Sequence, residues 1–182
     1  MAFTSTLSMS INMPTASSPK TNGLNTTLRH AEKIELPLIS KLFSEIIESS
    51  FPMFPDHAIK KYKESWTMEH LLVKHNTPSH ALFCCAWHEG APVGLVSGTQ
   101  PELGVATIIW LLVKPDCQGQ AIGSKLLEHA RQFYQAQKCH KLKLTVPSQR
   151  ACRFYVNNGM TQEGFHPSHW SKVDFWSLAC PL

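Results

Sequence analysis

Apolar residues follow two rhythms along this chain. Ile39, Leu42, Phe43, Ile46 and Ile47 recur at the spacing of one helical face, and Pro37 stands near the first turn, where its missing N–H costs nothing. Ile122, Leu126, Leu127, Ala130, Phe133 and Tyr134 repeat that pattern later in the chain. Phe51-Pro-Met-Phe-Pro55 interrupts the first helix, after which Ile59, Tyr62, Trp66, Leu71 and Leu72 predict one broken helix or two short ones. The second rhythm is that of strands. Thr26 to Ala31 predicts a short first strand, and Ala81 to His88 with Pro92 to Thr99 predicts a hairpin turning at Glu89-Gly90. Val105 to Val113 is apolar throughout, which predicts a central strand covered on both faces. Lys141 to Val146 alternates, so strand, small-residue loop, helix and strand follow one another as a βαβ crossover. A short helix over Gln149 to Asn157, capped by a left-handed Gly159, leads to two closing strands at Phe165 and at Val173 to Ala179, expected to be antiparallel.

Composition narrows the class. With 182 residues, 43% hydrophobic and 16% charged, the chain suits one globular domain rather than a disordered or coiled-coil chain. Its longest apolar run falls short of the roughly 20 residues a membrane helix needs, so no membrane partner is expected. Six cysteines lack any C-x-x-C pair or regular spacing, which predicts reduced thiols in a cytoplasmic setting. The net charge of +4 is scattered, apart from three lysines between Lys138 and Lys143; a nucleic-acid partner is not expected. Residues 1–25 are rich in Ser, Thr, Met and Asn, lack acids and have no apolar h-region, so no secretory signal is expected in them. They read as a flexible extension before a domain over residues 26–182, with an organelle transit segment as the alternative.

The segment Val113-Lys-Pro-Asp-Cys-Gln118-Gly119-Gln120-Ala121-Ile122-Gly123-Ser124 carries the most chemical information. A buried strand ends, a loop of small residues follows, and a helix begins. Backbone N–H groups then converge at a helix N-terminus bearing about half a positive charge, a geometry that can hold a pyrophosphate. Small residues at such a turn also serve plain packing, and the spacing matches neither the P-loop nor G-x-G-x-x-G.

Here the chain resembles the GNAT superfamily of N-acyltransferases, whose signature is Gln/Arg-x-x-Gly-x-Gly/Ala after a strand ending in Val-x-Pro. Gln118-x-x-Ala121-x-Gly123 after Val113-Lys-Pro115 matches, with Ala121 in place of the usual glycine. Downstream, Ala151-Cys-Arg-Phe154-Tyr155-Val-Asn-Asn-Gly159-Met160 is similar to the family's Ala-x-x-Phe-Tyr-x-x-x-Gly-Phe, and Ser148 stands where Asn is frequent. The resemblance runs from about residue 26 to the C-terminus. It implies an α/β GNAT fold, a mixed central sheet of about six or seven strands flanked by about four helices.

It further implies an acetyl-CoA-dependent transfer of an acetyl group to a primary amine by direct attack in a ternary complex, with acetyl-CoA as co-substrate and no metal. Backbone groups of Leu112 and Val113 would hold the pantetheine arm. Gln118, Gly119, Gln120, Ala121, Ile122, Gly123 and Ser124 would hold the pyrophosphate, with Ser148 as a further cofactor contact. Tyr155 would be the catalytic acid that protonates the leaving thiolate. Glu102, His166 and His169 are candidate bases by position. Asp116 is expected to cap the loop; Cys117 lies near a helix start able to depress a thiol pKa but has no visible partner for nucleophilic catalysis, which favours direct transfer. His166-x-x-His169 lacks the further ligands of a metal site. The acceptor, a small-molecule or peptide amine, would lie against Phe51 to Trp66 and His166 to Trp170, and a homodimer is compatible with the family. The departures at Ala121, Ser148 and Met160 leave a non-catalytic acyl-CoA-binding module as the alternative.

Overall fold

The computed structural model describes residues 24–76 and 81–182. Most of the extension expected over residues 1–25, with its transit-segment alternative, lies outside them. Seven strands occur among the described residues: β1 (Thr27–Arg29), β2 (Phe83–His88), β3 (Ala91–Gly98), β4 (Val105–Val113), β5 (Lys141–Val146), β6 (Thr161–His166) and β7 (Phe175–Pro181). They form one sheet in the order β1-β2-β3-β4-β5-β7-β6, antiparallel everywhere except between β4 and β5. The one parallel pair is the one that needs a crossover, and α4 (Ile122–Ala136) supplies it.

Five α-helices cover the sheet. α1 (Leu36–Ser50) buries Ile39, Leu42, Phe43, Ile46 and Ile47, the stripe that the sequence spacing predicts, and Leu36 as well. The interrupted region resolves into α2 (Asp56–Glu64) and α3 (Met68–Asn76), with Trp66 buried between them and stacked on Phe43 at 4.1 Å. α5 is Gln149–Asn157, followed by Gly159 at φ +82°. At the β2–β3 turn, Glu89 and Gly90 both take positive φ, +48° and +78°, as a two-residue primed hairpin turn requires.

Strand alternation divides the core into two layers. On β2, Cys84 and Ala86 face α4 with Leu126, Leu127, Ala130 and Tyr134, while Phe83, Cys85 and Trp87 face α1 and Trp66. Tyr134 is fully buried and its hydroxyl donates to the Thr99 carbonyl at 2.8 Å. Gly98 opposite is bare because a Cβ there would meet the Thr107 carbonyl at 2.8 Å as well as the Tyr134 hydroxyl. All six cysteines are free and buried.

β4 corrects the expectation of a strand covered on both faces. It is central, fourth of seven, yet Ile109 is 52% exposed. Ser97 opposes Trp110 while Gly98 opposes Ile108, so Ile109 is the extra residue of a β-bulge. A bulge bends its strand and re-aims the side chain it carries.

Candidate active site

Beyond the bulge β4 and β5 part. Their parallel pairing is confined to Val105–Thr107 against Lys141–Lys143, while β5 continues through Leu144, Thr145 and Val146 paired only to β7. The gap opens into a cavity of ≈ 720 Å³ whose walls come from both diverging strands, from Tyr155 on α5, and from the α1–α2 and β6–β7 connections. The apolar run of β4 is therefore only partly core. Ile109, Trp110 and Leu111 line the cavity.

Register decides which backbone groups face the gap. Lys114 N–H donates to the Val93 carbonyl at 2.9 Å, and the same register pairs Leu95 with Leu112 and Ser97 with Trp110. In an antiparallel ladder alternate residues bond to one neighbour, so Leu112 is committed to β3, whereas Leu111 and Val113 turn their N–H and C=O toward the open side. Of the two residues assigned a backbone role, Val113 has that orientation and Leu112 does not; Leu111 shares the orientation of Val113. Gln118 Nε2 donates to the Val113 carbonyl at 3.2 Å, and Gln118 Oε1 accepts from Arg150 at 3.2 Å, which ties the loop to both β4 and α5.

The loop after β4 begins with a helical turn over Pro115–Cys117 and ends at Ala121, the N-cap residue of α4. No side chain caps α4 and no acid occupies its first turn, so the N–H groups of Ile122, Gly123 and Ser124 end the helix with its positive pole unneutralised. Gly119 and Ala121 take left-handed conformations, φ +79° and +60°. Gln120 Oε1 accepts from the Leu24 amide at 3.0 Å, so that side chain holds the chain entering β1. Gly123 has a packing reason as well as an approach reason: a Cβ there would lie 3.1 Å from the Phe154 ring. Ser148 caps α5, its Oγ accepting from Ala151 N–H at 3.2 Å.

Two expectations about this loop are corrected. Asp116 makes no cap bond to the turn; its carboxylate lies against the Cys117 thiol. Burial first, then Asp116, pushes that thiol up rather than down.

Tyr155 is 6% exposed and lines the cavity. Burial raises its phenol above the ordinary value of 10. Among the described residues its hydroxyl has no hydrogen-bond partner, although the ring packs edge to face on Phe154 at 4.9 Å. The candidate bases are not brought to it. Glu102 pairs with Val105 at the opposite end of β4, His166 Nε2 lies 3.1 Å from Ser177 Oγ, and His169 stacks beside Trp170; none of the three lines the cavity. The imidazole that does is His57, in the first turn of α2, which no sequence pattern singles out.

The fold thus brings together a strand that splays at a bulge, an uncapped helix N-terminus after that strand and a tyrosine lining the gap. The sequence profile described as the acetyltransferase (GNAT) family matches residues 42–160, and the chain belongs to that family. No sequence relative is found among curated proteins. Three similar solved structures are the PaiA N-acetyltransferase of Thermoplasma acidophilum in complex with coenzyme A, the ribosomal-protein-S18-alanine N-acetyltransferase of Escherichia coli and a GNAT-family acetyltransferase of Streptococcus pneumoniae. They are 19%, 20% and 19% identical, with TM-scores of 0.71, 0.65 and 0.68. The alignments cover 85%, 86% and 87% of this chain and 98%, 94% and 100% of theirs.

Proposed function

We propose that the protein transfers an acetyl group from acetyl-CoA to a primary amine by direct attack within a ternary complex. The observation that carries this reading is a single cavity with the splayed part of β4, Tyr155 and a set of aromatic rings in its walls. The pyrophosphate would rest on the amides from Gly119 to Ser124, where a helix pole and small residues coincide. The pantetheine arm would extend along the open edge of β4, with N–H groups of Leu111 and Val113 available to its amides and to the thioester oxygen as that oxygen gains negative charge. One such donor contributes roughly 2.7–4 kcal/mol in well-studied sites.

The amine nitrogen bonds to the thioester carbon, the carbon–sulfur bond breaks, and two protons move. One leaves the nitrogen for His57, directly or through one water; the other passes from Tyr155 to the departing sulfur. Solvent then returns the first to the phenolate. A phenol above pKa 10 is a weak acid beside a thiol near 8.5, which makes the second transfer uphill in water. Burial raises the affinity of both anions for a proton, so the same cavity that weakens Tyr155 as an acid strengthens the thiolate as a base.

The test is Tyr155→Phe, which deletes the hydroxyl and keeps the ring against Phe154. Turnover should fall by about 10²–10⁴ while coenzyme A affinity stays level. A wild-type rate removes Tyr155 from the mechanism.

A further inference from the structure

Much of the cavity wall contributed by β4, the α1–α2 region and the β6–β7 region is built from rings. Trp110, which follows the β4 bulge, meets Phe43, Phe51 and Tyr62 at centroid distances of 5.1, 6.1 and 5.2 Å, each within four degrees of perpendicular, at 88°, 87° and 86°. Phe54 continues the wall from Tyr62, at 5.3 Å, to Phe175, at 6.1 Å. Trp170 closes against Phe175 at 5.0 Å. Trp170 belongs to a short segment in which Ser168, Ser171 and Lys172 all carry positive φ, a cluster of backbone strain at the rim of the cavity.

The charges on these walls are as one-sided as the rings. Among the described residues no aspartate or glutamate lines the cavity, and Lys61 is the one lysine or arginine in its walls. The neighbouring lysines of α2 are paired, Lys60 with Glu64 and Lys63 with Glu48, whereas Lys61 has no ion pair among the described residues. An acceptor with several ammonium groups would bring cations beside Lys61 with no carboxylate to receive them, and desolvating an unpaired charge is unfavourable. Rings attract cations as well as rings, but the Lys61 ammonium at the same wall opposes that attraction. A flat apolar body meets no such opposition, and it gains the perpendicular and offset ring contacts that aromatic walls favour.

We infer that the acceptor is an arylalkylamine: one primary amine on a short alkyl arm, its ring seated among Phe51, Tyr62, Trp110 and Phe175, and its nitrogen directed toward Tyr155. The direction of the nitrogen rests on the acetyl-transfer reading; the ring site stands on the cavity alone.

The test titrates tryptamine, n-hexylamine and spermidine into the full chain by calorimetry, with and without coenzyme A, and follows amide formation from each amine with acetyl-CoA by mass spectrometry. Tryptamine should bind about tenfold more tightly than either alternative, and Trp110→Leu should remove that margin while Trp110→Phe keeps most of it. Equal or tighter binding of n-hexylamine or spermidine, or an unaltered margin in folded Trp110→Leu, overturns the inference. If Trp110→Leu does not fold, the wild-type order of the three amines decides. Amide formed from spermidine in preference to tryptamine overturns the ring site and leaves acetyl transfer standing. The predicted binding order without amide from any amine supports the ring site and removes the acetyl-transfer reading instead.

Discussion

Ala121 is the departure from the family pattern whose consequence can be worked from geometry. It is the N-cap residue of α4 at φ +60° and ψ +8°, a left-handed conformation that costs an L-residue roughly 1–2 kcal/mol. Glycine would relieve that cost but enlarge the unfolded ensemble, at roughly 0.4–1 kcal/mol. Ala121→Gly should therefore stabilise the fold by about 0.5–1 kcal/mol, a rise of about 1–4 °C in melting temperature for a domain of this size. Gly119, two residues earlier at φ +79°, is the mirror experiment. A Cβ there meets nothing within 4 Å, so Gly119→Ala imposes the left-handed cost without a clash and should lower stability by about 1 kcal/mol. Both variants should be followed by scanning calorimetry and by coenzyme A titration, since removing the Ala121 methyl also clears the approach to the amides. A melting temperature that falls in Ala121→Gly, or rises in Gly119→Ala, would show that the backbone strain assigned to this loop is not there.

Other outcomes follow from the same structure. Ser124→Glu places a carboxylate in the first turn of the uncapped α4; it should stabilise the free protein by about 0.3–1 kcal/mol yet weaken coenzyme A binding by about tenfold or more, opposite signs that separate a phosphate site from a packing turn. His57→Gln should lower kcat/KM by about 10²-fold with coenzyme A affinity unchanged; a wild-type kcat/KM would assign the amine proton to solvent. Stability should decline on both sides of neutrality. In alkali, burial raises Tyr134, Tyr155 and Cys84, the last to about 11, so the unfolded chain releases protons first and stability is lost above pH of about 9–10. In acid, the Arg29 guanidinium bonded to Glu35 at 2.7 and 2.8 Å lowers that carboxyl to about 2, so its contribution is present above an ordinary value of 4.5 and lost as pH falls toward 2. Thermal melting across pH reads both limbs, and Arg29→Met should flatten the acid one.

Much of this was legible in the order of residues because the elements that frame the site are periodic. The stripes of α1 and α4 and the alternation of β5 place a crossover after β4, and a crossover of that kind puts a helix N-terminus at the strand's end. What the sequence could not disclose depends on partners across space. Ile109, Trp110 and Leu111 belong to one apolar run, and apolar residues that face a ligand cavity carry the same letters as those that face a core. That Leu111 rather than Leu112 shares the orientation of Val113 is a matter of ladder phase, settled by Lys114 bonding to Val93 rather than by anything in β4 itself. Glu102, His166 and His169 were reasonable by chain position, but the first lies at the wrong end of β4 and the other two outside the cavity walls. His57 carries no local signature: it is an exposed residue in a helical first turn that acquires meaning only because α2 folds over the splay.

The central claim is that this cavity turns acetyl-CoA and an amine into an amide, and the direct measurement is thiol release from acetyl-CoA by the full chain, quantified beside the acetylated amine. The account predicts that both products rise together in equal amounts, that neither forms without an amine, and that no acetyl group remains on the protein. Coenzyme A binding without thiol release from any member of a broad amine panel would contradict it and leave a binding module. Thiol release that leaves acetyl on a cysteine would replace direct attack with a covalent route.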